Sequence, residues 1–293
     1  MIAVTGATGR VGTRLVPLLV EAGEDVRVIS RDVERACAMF GGDVETAHGD
    51  LDEPDSVAAA LDGVDRVFLL VPAGPQQLTR EGHVIRPAMR AGVRRVVKLS
   101  VLAADEQSPV QLARWHRQAE TEVASSGLGY TILRPPFFMQ NFFAMVSNGA
   151  IHTAAEDGKI AMIDVRDVAA VAAAALTEDG HEGKTYTITG PQAVTFDEAA
   201  RELSAATGRP IRHVRIAPEA VTPAMTKAGA PDWYASDMAV LHRLFAAGLE
   251  AVTTDDVKTV TGREARRLAE FVREEFAALT PSTSPGAHEC TLP

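Results

Sequence analysis

Through the first half of the chain, short apolar runs rich in β-branched residues alternate with stretches whose apolar positions recur at helical spacing. The strand-like runs are 2–5, 26–30, 44–48, 66–71, 96–100 and 130–134. Between them lie the helical patterns 11–22, 33–40, 54–61, 78–91 and 110–126, most of them bounded by Gly, Pro or Asp. Such alternation predicts βαβ units feeding a parallel sheet, and right-handed crossovers make that sheet doubly wound. The expected fold class is therefore α/β, a Rossmann-like doubly wound parallel sheet.

The pattern changes after Arg134. Pro135 and Pro136 break regular structure, and Phe137, Phe138, Met139, Phe142 and Phe143 gather bulky apolar side chains beyond a strand's carboxyl end. An open α/β sheet places its ligand at such an end. A further strand is expected at 159–163, followed by an alanine-rich helix capped by Asp167 and running to Leu176, and then a strand at 185–188. From Pro191 the spacing reads as a smaller, mainly helical lobe, with helices near 196–206, 218–228, 233–247 and 263–279. The division predicted is a domain carrying the parallel sheet over 1–190, with 135–163 contributing to a substrate pocket, then a small substrate-binding lobe over 191–279. The Thr-, Ser- and Pro-rich stretch 280–293 reads as a flexible tail.

The first run ends at Thr5, and Gly6-x-x-Gly9-x-x-Gly12 opens the first helical pattern, which is the strand-turn-helix setting of a dinucleotide site. Gly6 permits the tight turn, Gly9 lets the backbone approach a pyrophosphate, and Gly12 lets helix and sheet pack closely. Free N–H groups and the positive end of the helix dipole, over Thr8, Arg10 and Val11, favour the anion. At the end of the second run stands Arg31, where an NAD site would usually carry an acid. A guanidinium can pair with a 2′-phosphate through two charge-assisted hydrogen bonds, so NADPH is expected over NADH, with Arg10 adding positive charge on the same side. Asp32 in the NAD role is the alternative. Asp50 closes the third run, where it either caps a helix or reads the adenine; Val71 and Pro72 complete the expected cofactor set.

Composition narrows the partners. A net charge of -10 disfavours nucleic acid and anionic membrane, and no apolar run reaches the roughly 20 residues a spanning helix needs. The first residues pass straight into a strand pattern, so a cytoplasmic location is expected. Only Cys37 and Cys290 are present, which leaves neither a disulfide framework nor a thiolate metal site, and no metal is expected.

Taken together, 4–12, 133–141 (Leu133-Arg134-Pro135-Pro136-Phe137-Phe138-Met139-Gln140-Asn141), 163–168 and 257–263 resemble the NmrA-like atypical short-chain dehydrogenase/reductases, over nearly the whole chain to about Leu279. The resemblance implies an NADP(H)- or NAD(H)-binding protein of one of two kinds. One kind reduces quinones or other carbonyls, including aromatic polyketides; the other senses dinucleotides without turnover. The enzyme is the leading expectation, an NADPH-dependent reductase of a quinone or ketone, with a ketoreductase of polyketide tailoring as one form of it, and a cofactor-retaining epimerase is a third reading. By the same resemblance Phe137, Phe138, Met139 and Asn141 begin the substrate pocket. Their bulk suits a flat aromatic or quinone-like small molecule, though the same side chains could simply join the lobes.

The wider superfamily delivers a proton from a Tyr-x-x-x-Lys pair on the helix after the fifth strand. Here that helix reads Leu112-Ala113-Arg114-Trp115-His116-Arg117-Gln118-Ala119-Glu120, with no tyrosine and no such lysine. His116 and Glu120, four apart, share a helical face, so the carboxylate can orient or charge an imidazole acting as general acid. Ser100, ending the fifth strand, is the candidate donor to the substrate oxygen. The alternative is a surface His–Glu pair and a site without a dedicated proton donor.

Overall fold

The computed structural model describes residues 1–276. In chain order the elements of the first half are β1 (Ile2–Val4), α1 (Gly12–Glu21), β2 (Val26–Ser30), α2 (Val33–Phe40), β3 (Glu45–His48), α3 (Pro54–Ala60), β4 (Arg66–Leu69), α4 (Gln77–Ala91), β5 (Arg95–Leu99), α5 (Gln111–Ser125) and β6 (Gly129–Leu133). There follow α6 (Phe142–Met145), β7 (Ala150–Thr153), α7 (Val165–Thr177), β8 (Lys184–Tyr186), α8 (Phe196–Thr207), β9 (Arg212–Arg215), α9 (Pro218–Lys227), α10 (Asp232–Ala246), α11 (Asp256–Thr261) and α12 (Leu268–Phe271), the last continuing as a π turn over Val272–Phe276.

Seven strands form one parallel sheet in the order β3-β2-β1-β4-β5-β6-β8. Val4 lies in register with Val28 on one side and Phe68 on the other, so the order reverses direction at β1. Crossover connections leave a crevice at the carboxyl ends of β1 and β4, the switch point where such folds bind ligands. The Thr5 hydroxyl fastens these two strand ends, accepting from the Leu70 N–H at 2.9 Å. Strands covered on both faces must be apolar throughout. Accordingly Ile2, Val4, Val28 and Phe68 bury against α1, α7 and α11, while Ala3, Val67, Val96 and Ile132 bury against α3, α4 and α5.

A separate core joins residues 139–162 to α8, Phe245 and α12 around Phe142, Phe196 and Phe271. This part is less purely helical than its spacing suggested, because β7 and β9 pair in parallel, Ile151 with His213 and Thr153 with Arg215. Neither segment alternates cleanly enough to be read as a strand. The run expected as a strand at 159–163 makes only isolated bridges, Ile160 with Val194 and Ile163 with Phe138. The alanine-rich helix starts earlier than Asp167. Asp164 caps it by accepting from the Arg166 N–H, whereas Asp167 lies within the first turn and accepts from the Arg266 N–H at 2.7 Å. Within the described part of the expected helix 263–279 only the short α12 and the π turn after it form, and the short α11 before them ends at the left-handed Gly262. The expected tail 280–293 lies outside the described residues.

Candidate active site

The glycine loop turns the chain out of β1 and into α1. Gly6 sits at φ +65°, and a Cβ there would meet Leu70 at 2.9 Å; a Cβ on Gly12 would fall 2.4 Å from the Ala7 backbone. Only glycine fits both. Val11, at the helix N-cap, provides no side-chain cap. Within the described residues the loop's backbone bonds use the N–H groups of Gly9 and Thr13, not those of Thr8, Arg10, Val11 or Gly12. A row of unsatisfied N–H groups at a helix N-terminus is an anion cradle, so the loop fits a dinucleotide pyrophosphate.

Around that cradle, Arg31 is exposed at the end of β2. The neighbouring Asp32 is already committed, its Oδ1 capping α2 through the Arg35 N–H at 2.9 Å, which weighs against its holding a ribose. Asp50 does not cap α3, whose N-cap is Glu53; its Oδ1 accepts from the Asp52 N–H at 3.0 Å, in a tight turn after β3. Arg10 does not reach toward Arg31 but donates from Nη1 to Asn141 Oδ1 at 2.6 Å, tying the glycine loop to the segment after β6. Val71 is buried at the crevice and Pro72 is exposed beside it.

Next to the cradle opens a cavity of about 350 Å³ at the carboxyl ends of β4, β5 and β6. Its wall is predominantly apolar: Val71, Leu99 and Pro136 from the sheet side, Phe137 and Phe138 from the segment after β6, and Met238 and Phe245 from α10. Of the four expected pocket residues, Phe137, Phe138 and Asn141 line it. Met139 does not. It is 2% exposed in the second core, because the backbone bond from its N–H to Ile163 turns the side chain away from the cavity. Phe137 also meets Phe142, Phe196 and Phe245 edge-on, with centroids 5.9–6.2 Å apart, so it both lines the cavity and joins the second core.

Ser100 and His116 line the same cavity. The expected pairing of His116 with Glu120 is not formed. Both side chains are buried on one face of α5, but Glu120 is taken by other partners: Ser100 Oγ donates to its Oε1 at 2.6 Å, and Arg134 donates from Nε at 2.9 Å and from Nη2 at 2.5 Å. Carboxylate–guanidinium pairing raises the Arg134 pKa and holds the end of β6 against α5. Ser100 therefore spends its proton on Glu120 and presents only lone pairs to the cavity, contrary to the expected donor role.

His116 instead faces a buried cluster that the sequence reading missed. Gln77 Nε2 lies 3.1 Å and Lys98 Nζ 3.3 Å from its Nδ1. Lys98, fully buried on β5, also donates to Glu81 Oε1 at 2.9 Å and to the Leu99 carbonyl at 3.2 Å. Three N–H bonds of Lys98 thus meet three acceptors. Gln77 is oriented by Glu81, to whose Oε1 its amide donates at 3.2 Å. With two donors on Nδ1, the imidazole proton belongs on Nε2. Burial first, and then the Lys98 charge, push the His116 pKa well below 6.5. The ring is a neutral Nε2–H donor, positioned by Gln77 and Lys98 where the spacing suggests that Glu120 would orient or charge it. Burial also raises the Glu81 carboxyl, against the pull of Lys98.

One further carboxyl lines the cavity. Glu250 follows α10 with its backbone pinned, its carbonyl accepting from the Ala161 N–H at 2.9 Å, and the residue is 5% exposed. No spacing rule singles out a glutamate in a loop, so nothing local marks it. Lys98 did leave a local signal, a lone charge inside the otherwise apolar Val96-Val97-Lys98-Leu99 of a central strand.

Fold and site define a dinucleotide-binding protein of the Rossmann type with an aromatic-lined cavity beside the cofactor cradle. The chain belongs to the NmrA-like family, whose model matches residues 1–277. It is 42% identical over 282 residues to the NAD(P)H azoreductase of Xenophilus azovorans, covering 95% of this chain and 99% of that protein. The NADPH complex of an NADPH-dependent quinone oxidoreductase from Escherichia coli superposes with a TM-score of 0.85 at 30% identity, covering 94% of this chain and 100% of that one. The NADP(H) complex of Citrobacter sp. triphenylmethane reductase does so with a TM-score of 0.79 at 31% identity, over 93% of this chain and 99% of that one.

Proposed function

We propose that this NmrA-like protein is an NADPH-dependent reductase of flat aromatic acceptors, with quinones and ketones, including those of aromatic polyketides, as neutral substrates. The observation that carries the reading is the juxtaposition of an uncapped helix N-terminus with an apolar cavity into which a neutral histidine is fixed. Relatives named for NAD(P)H-dependent azo and quinone reduction support the same reaction class.

When bound, the dinucleotide supplies the hydride. The chain supplies the rest. Gly6, Gly9 and Gly12 let the backbone close on the pyrophosphate, and Arg31, free of any hydrogen-bond partner among the described residues, is placed to take the 2′-phosphate. Phe137, Phe138 and Met238 exclude water and hold a planar acceptor, an orientation that alone is worth several kcal/mol. His116 donates from Nε2 to the acceptor oxygen, where negative charge develops. As Nε2 gives up its proton, Lys98 returns one to Nδ1, so the ring stays neutral and the proton passes from Lys98 through His116 to the reduced product. Glu81 balances the charge beside Lys98.

A panel of quinones, azo compounds and polyketide ketones, followed by NADPH oxidation, tests the proposal. Turnover with at least one class is expected. Tight NADPH binding with no turnover across the panel would overturn it in favour of a dinucleotide sensor.

A further inference from the structure

Beyond the residues used above, the cavity contains a carboxyl that no described residue pairs with. Glu250 is nine-tenths buried and lines the cavity, yet among the described residues no donor reaches its carboxyl. Of the other lining side chains only His116 and Tyr234 titrate, and neither bonds to it. From the surrounding elements, Asp237 on α10 is held by the N–H groups of Gln111 and Leu112, and His242 meets the Ala154 N–H. Arg243 and Lys159 are exposed, and Arg134 is taken by Glu120. An unpaired buried carboxylate is costly, and proteins keep one where a ligand completes it. The walls that share the cavity with it are aromatic, Phe137, Phe138, Phe245 and Tyr234, whose ring faces favour positive charge.

Resting on the reductase reading above, we propose that Glu250 is the charge-reading group of the cavity, and that it selects cationic, nitrogen-bearing aromatic acceptors as a second substrate class. A role as general acid fits less well, because no hydrogen-bonded neighbour can return its proton, whereas His116 has Lys98 behind it. A cationic acceptor needs no proton. Hydride adds to its electron-poor carbon, two electrons and one hydrogen leave NADPH as NADP⁺ forms, and the product is neutral. Loss of the positive charge then ends the attraction to Glu250 and favours release. Burial alone, with no charged neighbour, lifts the carboxyl to about 7, so its ionisation is poised to couple to the ligand's charge.

Equilibrium binding to the full chain with NADP⁺ separates this from the reductase reading, since no turnover is involved. The probes are auramine O, a cationic diarylmethane dye, and bis(4-dimethylaminophenyl) ketone, its neutral counterpart of the same shape. Between about pH 5.5 and about pH 8.5 auramine binding should tighten roughly tenfold in the wild type, while ketone binding stays level or weakens. Glu250→Gln should weaken auramine binding about tenfold at the higher pH, abolish its pH dependence and leave ketone binding in place. Auramine binding that ignores pH in the wild type, or is unchanged in Glu250→Gln, would overturn the proposal. Retained ketone binding shows that the variant's cavity is intact; should it be lost, the wild-type contrast between the two probes decides by itself.

Discussion

The glycine loop and the neighbouring cavity open at the same carboxyl edge of one sheet, yet they are built in opposite ways. At the loop, backbone does the work: the N–H groups of Thr8, Arg10, Val11 and Gly12 are left free for an anion by the described residues, and the side chains matter chiefly by their absence at Gly6 and Gly12. At the cavity, side chains do the work, and they come from far apart: His116 on α5 and Glu250 after α10 line it, and Gln77 and Glu81 on α4 and Lys98 on β5 stand behind His116. A site made of local backbone can be read from a short motif. One assembled across many segments cannot, because its chemistry is set by which donor happens to face which acceptor.

The sharpest way to break this contrast is to remove the group proposed to donate the proton in the cavity. His116→Ala should lower turnover of a quinone about 100-fold to 1,000-fold, the usual worth of one donor aimed at a developing oxyanion, with little change in NADPH affinity. Lys98→Met should approach the same loss, since it removes both the proposed proton source and a partner of Nδ1. Nitrogen-15 NMR of the imidazole supplies a second readout: at pH 6 His116 should be neutral and protonated at Nε2, because burial and Lys98 hold its pKa well below 6.5. An imidazolium signal there, or near-normal turnover in His116→Ala, would show that the ring does not act as described.

That outcome bears on how much the residues disclosed in advance. Periodicity placed β2 and α2 at their observed bounds and announced a parallel doubly wound sheet, because buried parallel strands must be apolar and their crossovers amphipathic. The glycine loop was legible for the same local reason. His116 and Ser100 line the cavity, but the His116–Glu120 pairing drawn from spacing is not the one formed. Sharing a helix face put His116 and Glu120 side by side; it could not say that Arg134, fourteen residues on, would claim the carboxylate. Likewise, Met139 looked like its aromatic neighbours until the bond from its N–H to Ile163 turned it into the second core.

A smaller effect probes the cost of the cavity's unpaired carboxyl to the fold. Burial raises Glu250 from an ordinary 4.5 to about 7, so between those values the folded chain holds a proton that the unfolded chain releases. Stability is therefore fullest below about pH 4.5, is lost as pH rises toward about 7, and is flat above that, as far as this group is concerned. The gap corresponds to about 3 kcal/mol at 1.36 kcal/mol per pH unit. Glu250→Gln cannot ionise, so denaturant titrations should show the variant gaining on the wild type by up to that amount between about pH 5 and about pH 8. Parallel stabilities across the range would mean that water reaches the carboxyl freely.

The smallest expected effect lies at the backbone-built end, where a single side chain refines what the loop already binds. Arg31 stands at the end of β2, exposed, while the two nearby carboxylates are engaged elsewhere. Asp32 caps α2, and Asp52 is held bidentately by Arg80, with Nε to Oδ1 at 2.8 Å and Nη2 to Oδ2 at 2.7 Å. A guanidinium without a competing partner can meet a 2′-phosphate at little cost. Arg31→Ala should therefore lose about 1.5–3 kcal/mol of the preference for NADPH over NADH, roughly tenfold to 150-fold, while NADH affinity barely moves because the pyrophosphate cradle is intact. Titrating both cofactors against wild type and variant measures the difference directly. Equal losses for both would mean that Arg31 supports the loop and does not read the phosphate, and unchanged NADPH affinity would assign that reading to another cation. Arg10 is then the next to test, once freed from Asn141 by Asn141→Ala, which removes the oxygen its guanidinium now meets.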